Sequence, residues 1–342
     1  YHLRRAGREC LVLDANERVG DNWRRQWDSL RLYTPARYGG LPGLAFPGRP
    51  WDYPTKDETA DFLETYAERF DLPVRLRTKV RHLRADGDGY VVETDRETFA
   101  ADNVVVATGT FGRRPSVPDL ADELDPAILQ LHSSDYRRPG QLRLGRTLVV
   151  GASHSGHDIA YEVALTGPTT LVGRDCGQMP VRLGSPQARL FFPVFWFVSG
   201  HLLNRRTPMG RRAMSQIRFH GGPALRVRRS HLAERGVERI EERVTGVVDG
   251  RPQLAGGRVL DVANVIWATG FRQTFDWVDL PVFDDHGWPR EDRGIVAEAP
   301  GLYFTGLSFQ YSFRSMLIGG AGADAEHVVR QLLTRSRGKV AA

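Results

Sequence analysis

The strongest constraint on the fold of this chain is the stretch VVGASHSGHDIA at residues 149–160. An apolar run ends at Gly151, small residues follow, and a helix-like segment begins after Gly156. In an α/β fold, a strand, a tight loop and a helix in this order hold a dinucleotide pyrophosphate on backbone N–H groups at the helix start. We therefore predict a nucleotide site at Gly151, Ser153 and Gly156.

A charged residue after the next strand predicts which nucleotide binds. The strand at 170–172 ends in GRD, so Arg174 follows Gly156 by 18 positions. An acidic side chain there would repel a ribose 2′-phosphate, whereas a guanidinium binds it. We predict NADPH as the ligand; the alternative is that Arg174 is a solvated arginine at a strand end.

The front of the chain resembles the second half of another nucleotide-binding unit. A strand at 10–13 ends at Asp14, and an acid in that position accepts hydrogen bonds from an adenosine ribose. The matching glycine loop belongs about 20 residues upstream, before the first residue given. We therefore expect an N-terminally truncated chain, in which the first glycine loop is missing. The alternative for Asp14 is an ordinary surface aspartate.

Two predicted buried strands end in Ala-Thr-Gly, at 107–109 and 268–270. In sequence they lie on either side of the nucleotide-binding segment that contains Gly151 and Arg174. This order predicts an α/β fold with two dinucleotide-binding, Rossmann-like domains. The FAD-binding domain is discontinuous, with a first part at 1–139 and a second part at 263–342. The NADPH-binding domain at 140–262 is inserted between them. The site is then expected between the domains, where ligand clefts commonly form.

Local patterns predict individual elements. Thr55 and Glu58 form a capping-box pair before a helical pattern, and residues 157–165 also predict a helix. The segment 18–35 lacks periodicity and is predicted to be a long structured loop. The glycines in GGAGADAEHVVRQLL, at 319, 320 and 322, are expected to lead into a C-terminal helix and to direct its positive end at a flavin.

Composition excludes several classes of function. The chain has 342 residues and a net charge of +6. We expect its excess of basic residues to be spread along the whole chain, which argues against a basic patch that binds nucleic acid. Only Cys10 and Cys176 are cysteines, so neither a disulfide framework nor a zinc site is expected. The apolar run 190–203 contains Pro193 and is too short to span a membrane. It is expected to be buried or to line a substrate cavity.

The ordered motifs resemble the flavin-containing monooxygenase superfamily, and within it the bacterial CzcO-like proteins and the plant YUCCA enzymes. The motifs that carry this resemblance are VLDANERVGDNW, DSLRLYTP, VVVATGTF, LHSSDY, VVGASHSGHDIA, IWATGF and GLYFTGLSFQYS. These motifs occur in the same order as in the family, and together they extend over nearly the whole chain.

The resemblance implies positions for both cofactors. FAD would contact Asp14, Trp23, Arg31, Leu32, Thr34, Val80, Ala107, Thr108, Gly109 and Gly306. NADPH would contact Gly151, Ser153, Ser155, Gly156 and Arg174. His132 and Ser133 would approach the nicotinamide from a linker, and Ala268, Thr269 and Gly270 would let the backbone turn beside a cofactor.

The resemblance also implies a cytoplasmic, NADPH-dependent FAD monooxygenase that uses molecular oxygen. It would oxygenate a small molecule, with a lipophilic one favoured, through a flavin C4a-hydroperoxide. Because the cofactors carry the chemistry, no catalytic side chain is assigned. Two alternatives stay open, namely an NADPH-dependent flavin reductase or oxidase without oxygenation, and an inactive flavoprotein remnant. The sequence does not determine the oligomeric state.

Overall fold

A computed structural model describes residues 1–109 and 114–341, which form an α/β fold. The last two residues of the VVVATGTF motif, Thr110 and Phe111, lie outside the described residues. The helices are α1 (His2–Arg5), α2 (Asp21–Arg24), α3 (Lys56–Arg69), α4 (His154–Val163), α5 (Pro186–His201), α6 (Pro208–His220), α7 (Arg229–Glu234) and α8 (Ile318–Ala341).

The strands are short, and most of them are parallel. They are β1 (Val12–Leu13), β2 (Val74–Arg75), β3 (Val80–Asp86), β4 (Gly89–Thr94), β5 (Thr98–Ala101), β6 (Val104–Val106), β7 (Arg114–Pro115), β8 (Leu129–His132), β9 (Thr147–Val150), β10 (Thr169–Val172), β11 (Glu238–Ile240), β12 (Val244–Val248), β13 (Arg251–Leu254), β14 (Asn264–Trp267), β15 (Phe271–Arg272), β16 (Val278–Asp279) and β17 (Leu302–Phe304).

A five-stranded parallel sheet with the order β11-β10-β9-β14-β8 forms the centre of the nucleotide-binding unit. Both faces are buried, because Val149 packs with α4 while Leu148 and Val150 pack into a second cluster on the other face. A parallel sheet covered on both faces brings its strand ends to one edge. This sheet extends beyond the predicted 140–262 segment, since β8 and β14 pair directly into it.

The other unit is built from smaller sheets. The β16-β3-β4-β5 sheet is mainly antiparallel, while β1 pairs with β2 and β6 with β17 in parallel. Within the described residues, β1 and β6 each have a ladder on one side only. Their side chains line the same cavity, and Leu11 and Val12 are 43% and 45% exposed there.

Several local predictions are confirmed and others need correction. The capping box forms, since Thr55 N donates to Glu58 Oε2 at 2.7 Å and Glu58 N donates to Thr55 Oγ1 at 3.1 Å. The predicted loop at 18–35 contains α2, and α4 starts at His154, three residues before its predicted start. In both cases helix caps and packing determine boundaries that periodicity does not.

The apolar run at 190–203 forms most of helix α5, with Pro193 inside it. The expectation that it is buried holds for one face only. Phe192 is fully buried, whereas Leu190, Val194 and Phe197 are 78%, 63% and 57% exposed. No helix in the described part of the chain is long and apolar enough to cross a membrane.

Candidate functional site

One continuous cavity of about 3560 Å³ connects the two units. Its wall includes the end of β1 at Asp14, the segment Ala107–Gly109 after β6, and Gly306 after β17. It also includes the loop after β9 and the residues that follow β10. The regions predicted to hold the two cofactors therefore open into a common space.

Two glycines allow α4 to start close against β9. Gly151 has φ +107°, a backbone conformation that other residues rarely adopt. A Cβ on Gly156 would lie 3.0 Å from the carbonyl carbon of Gly151 and closer still to its oxygen. The two glycines thus allow the start of α4 to lie close to the end of β9, and residues 153–155 at that start line the cavity. The N-terminal end of a helix stabilises an anion.

The first turn of α4 is covered by the segment 221–227. Ser153, the N-cap residue, does not cap the helix with its side chain; instead its Oγ donates to the carbonyl of Gly222 at 2.8 Å. Arg226 Nε donates to Asp158 Oδ2 at 3.0 Å, and both side chains line the cavity. Burial raises the pKa of Asp158, while the Arg226 guanidinium opposes that shift. The pair fastens this segment to the helix without occupying its backbone N–H groups.

The end of β10 is rich in guanidinium groups. Arg174 is exposed to the cavity, and Arg239 Nη2 donates to the carbonyl of Gly173 at 2.6 Å. Arg229 forms an ion pair with Asp175. The Gly177 N–H and then Arg229 hold the pKa of Asp175 below its usual range, so this acid is charged. With three arginines and one charged aspartate, these four side chains carry a positive net charge, which favours the binding of a phosphate.

The opposite side of the cavity is formed by Asp14 and the small residues after β6 and β17. Asp14 Oδ1 accepts hydrogen bonds from the backbone N–H and the side-chain amide of Asn16, each at 2.9 Å. Gly109 and Gly306 have φ of +71° and +79°, and an added Cβ on either would lie 3.8 Å from the other residue. Because neither residue has a side chain, the backbone at both positions is accessible from the cavity.

The glycines at the start of α8 fit the helix into its surroundings. Gly319 and Gly320 lie inside the helix, and a Cβ on them would overlap the carbonyls of Tyr38 and Arg314. A Cβ on Gly322 would overlap the ring of Pro42. The first turn of α8 lines the cavity at Ile318. That this helix directs its positive end at a flavin stays a prediction.

Trp27 was not predicted as a site residue. It is 5% exposed, packs with Val149 and Ala152 of the nucleotide-binding unit, and also lines the cavity. Its Nε1–H is buried, and no residue that the structure describes accepts a hydrogen bond from it. A buried donor without an acceptor costs about 1–3 kcal/mol. An acceptor atom of a bound ligand would satisfy it; no sequence pattern marks this feature.

His132 connects the linker to the second Ala-Thr-Gly segment. Its Nε2 donates to the carbonyl of Gly270 at 3.0 Å, and its Nδ1 accepts from the N–H of Ser134 at 3.1 Å. Burial lowers the pKa of His132, so the neutral ring is favoured. The ring is 5% exposed and does not line the cavity, whereas Ser133 does.

Of the twenty predicted site residues, seventeen line the cavity. The three others are Thr34, His132 and Gly156, which are buried behind its wall. The cavity thus brings together Asp14 from the front of the chain, Arg174 from the middle and Gly306 from the back. That location is compatible with cofactor contacts, which remain predictions for each residue.

Comparison with known proteins identifies the family. A model described as pyridine nucleotide-disulphide oxidoreductase matches residues 1–178. An uncharacterized CzcO-like oxidoreductase of Geobacillus kaustophilus is 37% identical over 97% of this chain and 94% of its own length. The chain belongs to this oxidoreductase family. A probable indole-3-pyruvate monooxygenase, YUCCA9 of Arabidopsis thaliana, is 24% identical over 94% of the chain and 82% of the relative.

Solved structures show that the family shares this fold. A flavin monooxygenase of Stenotrophomonas maltophilia has a TM-score of 0.75 at 24% identity and covers 98% of this chain and 94% of its own. OTEMO, solved in complex with FAD and NADP, has a TM-score of 0.65 at 16% identity, covering 98% of this chain and 83% of its own. The resemblance to the flavin monooxygenase superfamily is confirmed. Despite the family name, both cysteines of the chain are free.

Proposed function

We propose that this chain is an NADPH-dependent FAD oxidoreductase that oxygenates a small organic substrate. The observation that carries the proposal is the single cavity onto which Asp14, Arg174 and Gly306 all open. A hydride donor and a flavin must meet face to face, and a shared cavity between two nucleotide-binding units permits this. Family membership and the flavin monooxygenase neighbours support the same reaction class.

The residues present fit a dinucleotide on the Arg174 side. The start of α4 has no side-chain cap, and glycines at 151 and 156 let a pyrophosphate approach its N–H groups. Arg174 would bind the 2′-phosphate, with Arg239 adding positive charge. The Nε1–H of Trp27, which has no acceptor in the described part of the chain, would donate to a ligand acceptor.

The side of the cavity lined by Asp14, Gly109 and Gly306 would bind the flavin. The described residues contain no glycine loop beside β1. Asp14 would accept from a ribose hydroxyl, and Gly109 and Gly306 would let the ring lie close to the backbone. When bound, the cofactor pair supplies hydride transfer and activation of molecular oxygen. The chain's part is to bind, to orient, and to surround the reacting region with apolar side chains such as Phe195 and Phe313.

The test is the visible absorption spectrum of the purified chain after incubation with FAD and desalting, followed by NADPH in air and a product analysis. A retained flavin spectrum that bleaches with NADPH, together with an oxygenated product, supports the proposal. NADPH oxidation that yields only hydrogen peroxide favours the reductase or oxidase alternative. A folded chain that retains no flavin contradicts the proposal for this chain. The Gly156→Ala variant serves as the control with an impaired nucleotide loop.

A further inference from the structure

Helix α5 presents an apolar stripe to the outside of the molecule. Leu190, Val194 and Phe197 follow at spacings of four and three residues and therefore lie on one face. They are 78%, 63% and 57% exposed, and none of them lines the cavity. We call these three residues the α5 stripe. Large apolar side chains exposed together on one helix face commonly mark an interaction surface.

The other face of the same helix is firmly held. Phe192 is fully buried, with its ring 6.1 Å from that of Tyr38. The Arg314 side chain donates to the carbonyl of Trp196 at 2.7 Å. Phe195 points to the cavity and meets Phe313 edge to face at 5.5 Å. The α5 stripe therefore lies on a helix whose other face is packed against the protein. Its exposure does not result from fraying of the helix.

The segment that contains this helix is strongly basic in sequence, and four of its arginines form ion pairs with acids from other parts of the chain. Residues 176–233 contain ten arginines and neither aspartate nor glutamate, so the basic excess is concentrated there and is not spread along the chain as expected. Arg189 precedes the stripe, and Arg211 and Arg212 follow in α6. All three are exposed, and no carboxylate in the described residues forms an ion pair with them. We call these three the arginine rim.

We propose that the α5 stripe and the arginine rim bind the surface of an anionic lipid bilayer. A helix with exposed Leu, Val and Phe on one side suits the bilayer interface, and arginines are attracted to anionic lipid headgroups. Arg189 is next to Leu190 in the same helix, and Arg211 and Arg212 are exposed in the helix that follows. A second copy fits less well, since a symmetric contact would bring two arginine-rich segments together. The inference goes beyond the proposed reaction and does not depend on flavin binding.

The experiment is co-sedimentation of the full chain with vesicles of phosphatidylcholine alone or mixed with phosphatidylglycerol. The wild-type chain should bind the anionic vesicles, and less so in high salt. The L190S/V194S/F197S and R189Q/R211Q/R212Q variants should each lose at least tenfold in affinity. The matched controls L144S/L165S and R49Q/R96Q/R330Q, which change exposed residues elsewhere, should bind like the wild type.

Circular dichroism verifies that each variant folds, and light scattering gives the oligomeric state. Absence of wild-type binding to anionic vesicles overturns the proposal, as does a stripe variant that binds unchanged. A wild-type dimer that the stripe substitutions dissociate, without vesicle binding, assigns the surface to a second copy instead. Binding to an acidic protein but not to vesicles likewise refutes the lipid assignment.

Discussion

Replacing Gly156 with alanine perturbs the nucleotide loop at its tightest point. The new Cβ would lie 3.0 Å from the carbonyl carbon of Gly151, closer still to its oxygen, and 3.5 Å from the Cβ of Ala268. Because two of these atoms belong to the backbone, no side chain can rotate away, and the start of α4 must shift. Overpacking of this kind costs about 1–3 kcal/mol in the free energy of unfolding. The shift also moves the N–H groups that would hold a pyrophosphate.

We expect the Gly156→Ala variant to bind NADPH at least tenfold more weakly, which corresponds to about 1.4 kcal/mol. Isothermal titration calorimetry measures the affinity, and denaturant unfolding measures the stability. The Gly167→Ala variant is the matched control, because an added Cβ there would lie 3.6 Å from the Gly145 oxygen, an ordinary van der Waals contact. If Gly156→Ala matched the wild type in both measurements, the close approach of helix and strand would not be required.

Three further substitutions test the site. Trp27→Phe removes a buried donor that has no acceptor among the described residues, so we expect unchanged or higher stability of the free chain and about fivefold weaker cofactor binding; equal affinity in calorimetry would refute a ligand contact. Arg174→Gln should weaken NADPH binding about tenfold and leave NADH binding unchanged, and an equal loss for both would exclude a 2′-phosphate contact. His132 has a lowered pKa, so it is neutral in the fold, whereas the unfolded chain takes up a proton below about pH 6.5. The free energy of unfolding should therefore fall as pH drops below 6.5, and less steeply in His132→Gln; parallel pH profiles would contradict this.

The sequence alone determined the features that depend on short-range order. The strand, loop and helix around Gly151 follow from an apolar run, small residues and helical periodicity within twelve positions. The capping box at Thr55 likewise depends on residues three positions apart. The order of the motifs along the chain was also sufficient to identify the superfamily, in agreement with the relatives that match over nearly the whole chain.

Only the tertiary structure determined which distant residues meet. Strand β14 pairs with β9 across more than a hundred residues, so the extent of the central sheet could not be read from local pattern. The Nε1–H of Trp27, for which the described residues offer no acceptor, is buried because Trp27 packs in a cluster with residues more than a hundred positions away. Periodicity did not predict the outward face of α5, because its residues are apolar on both sides. Burial is a property of packing between elements, and a side chain's hydrophobicity states only its preference for burial, not whether a neighbour covers it.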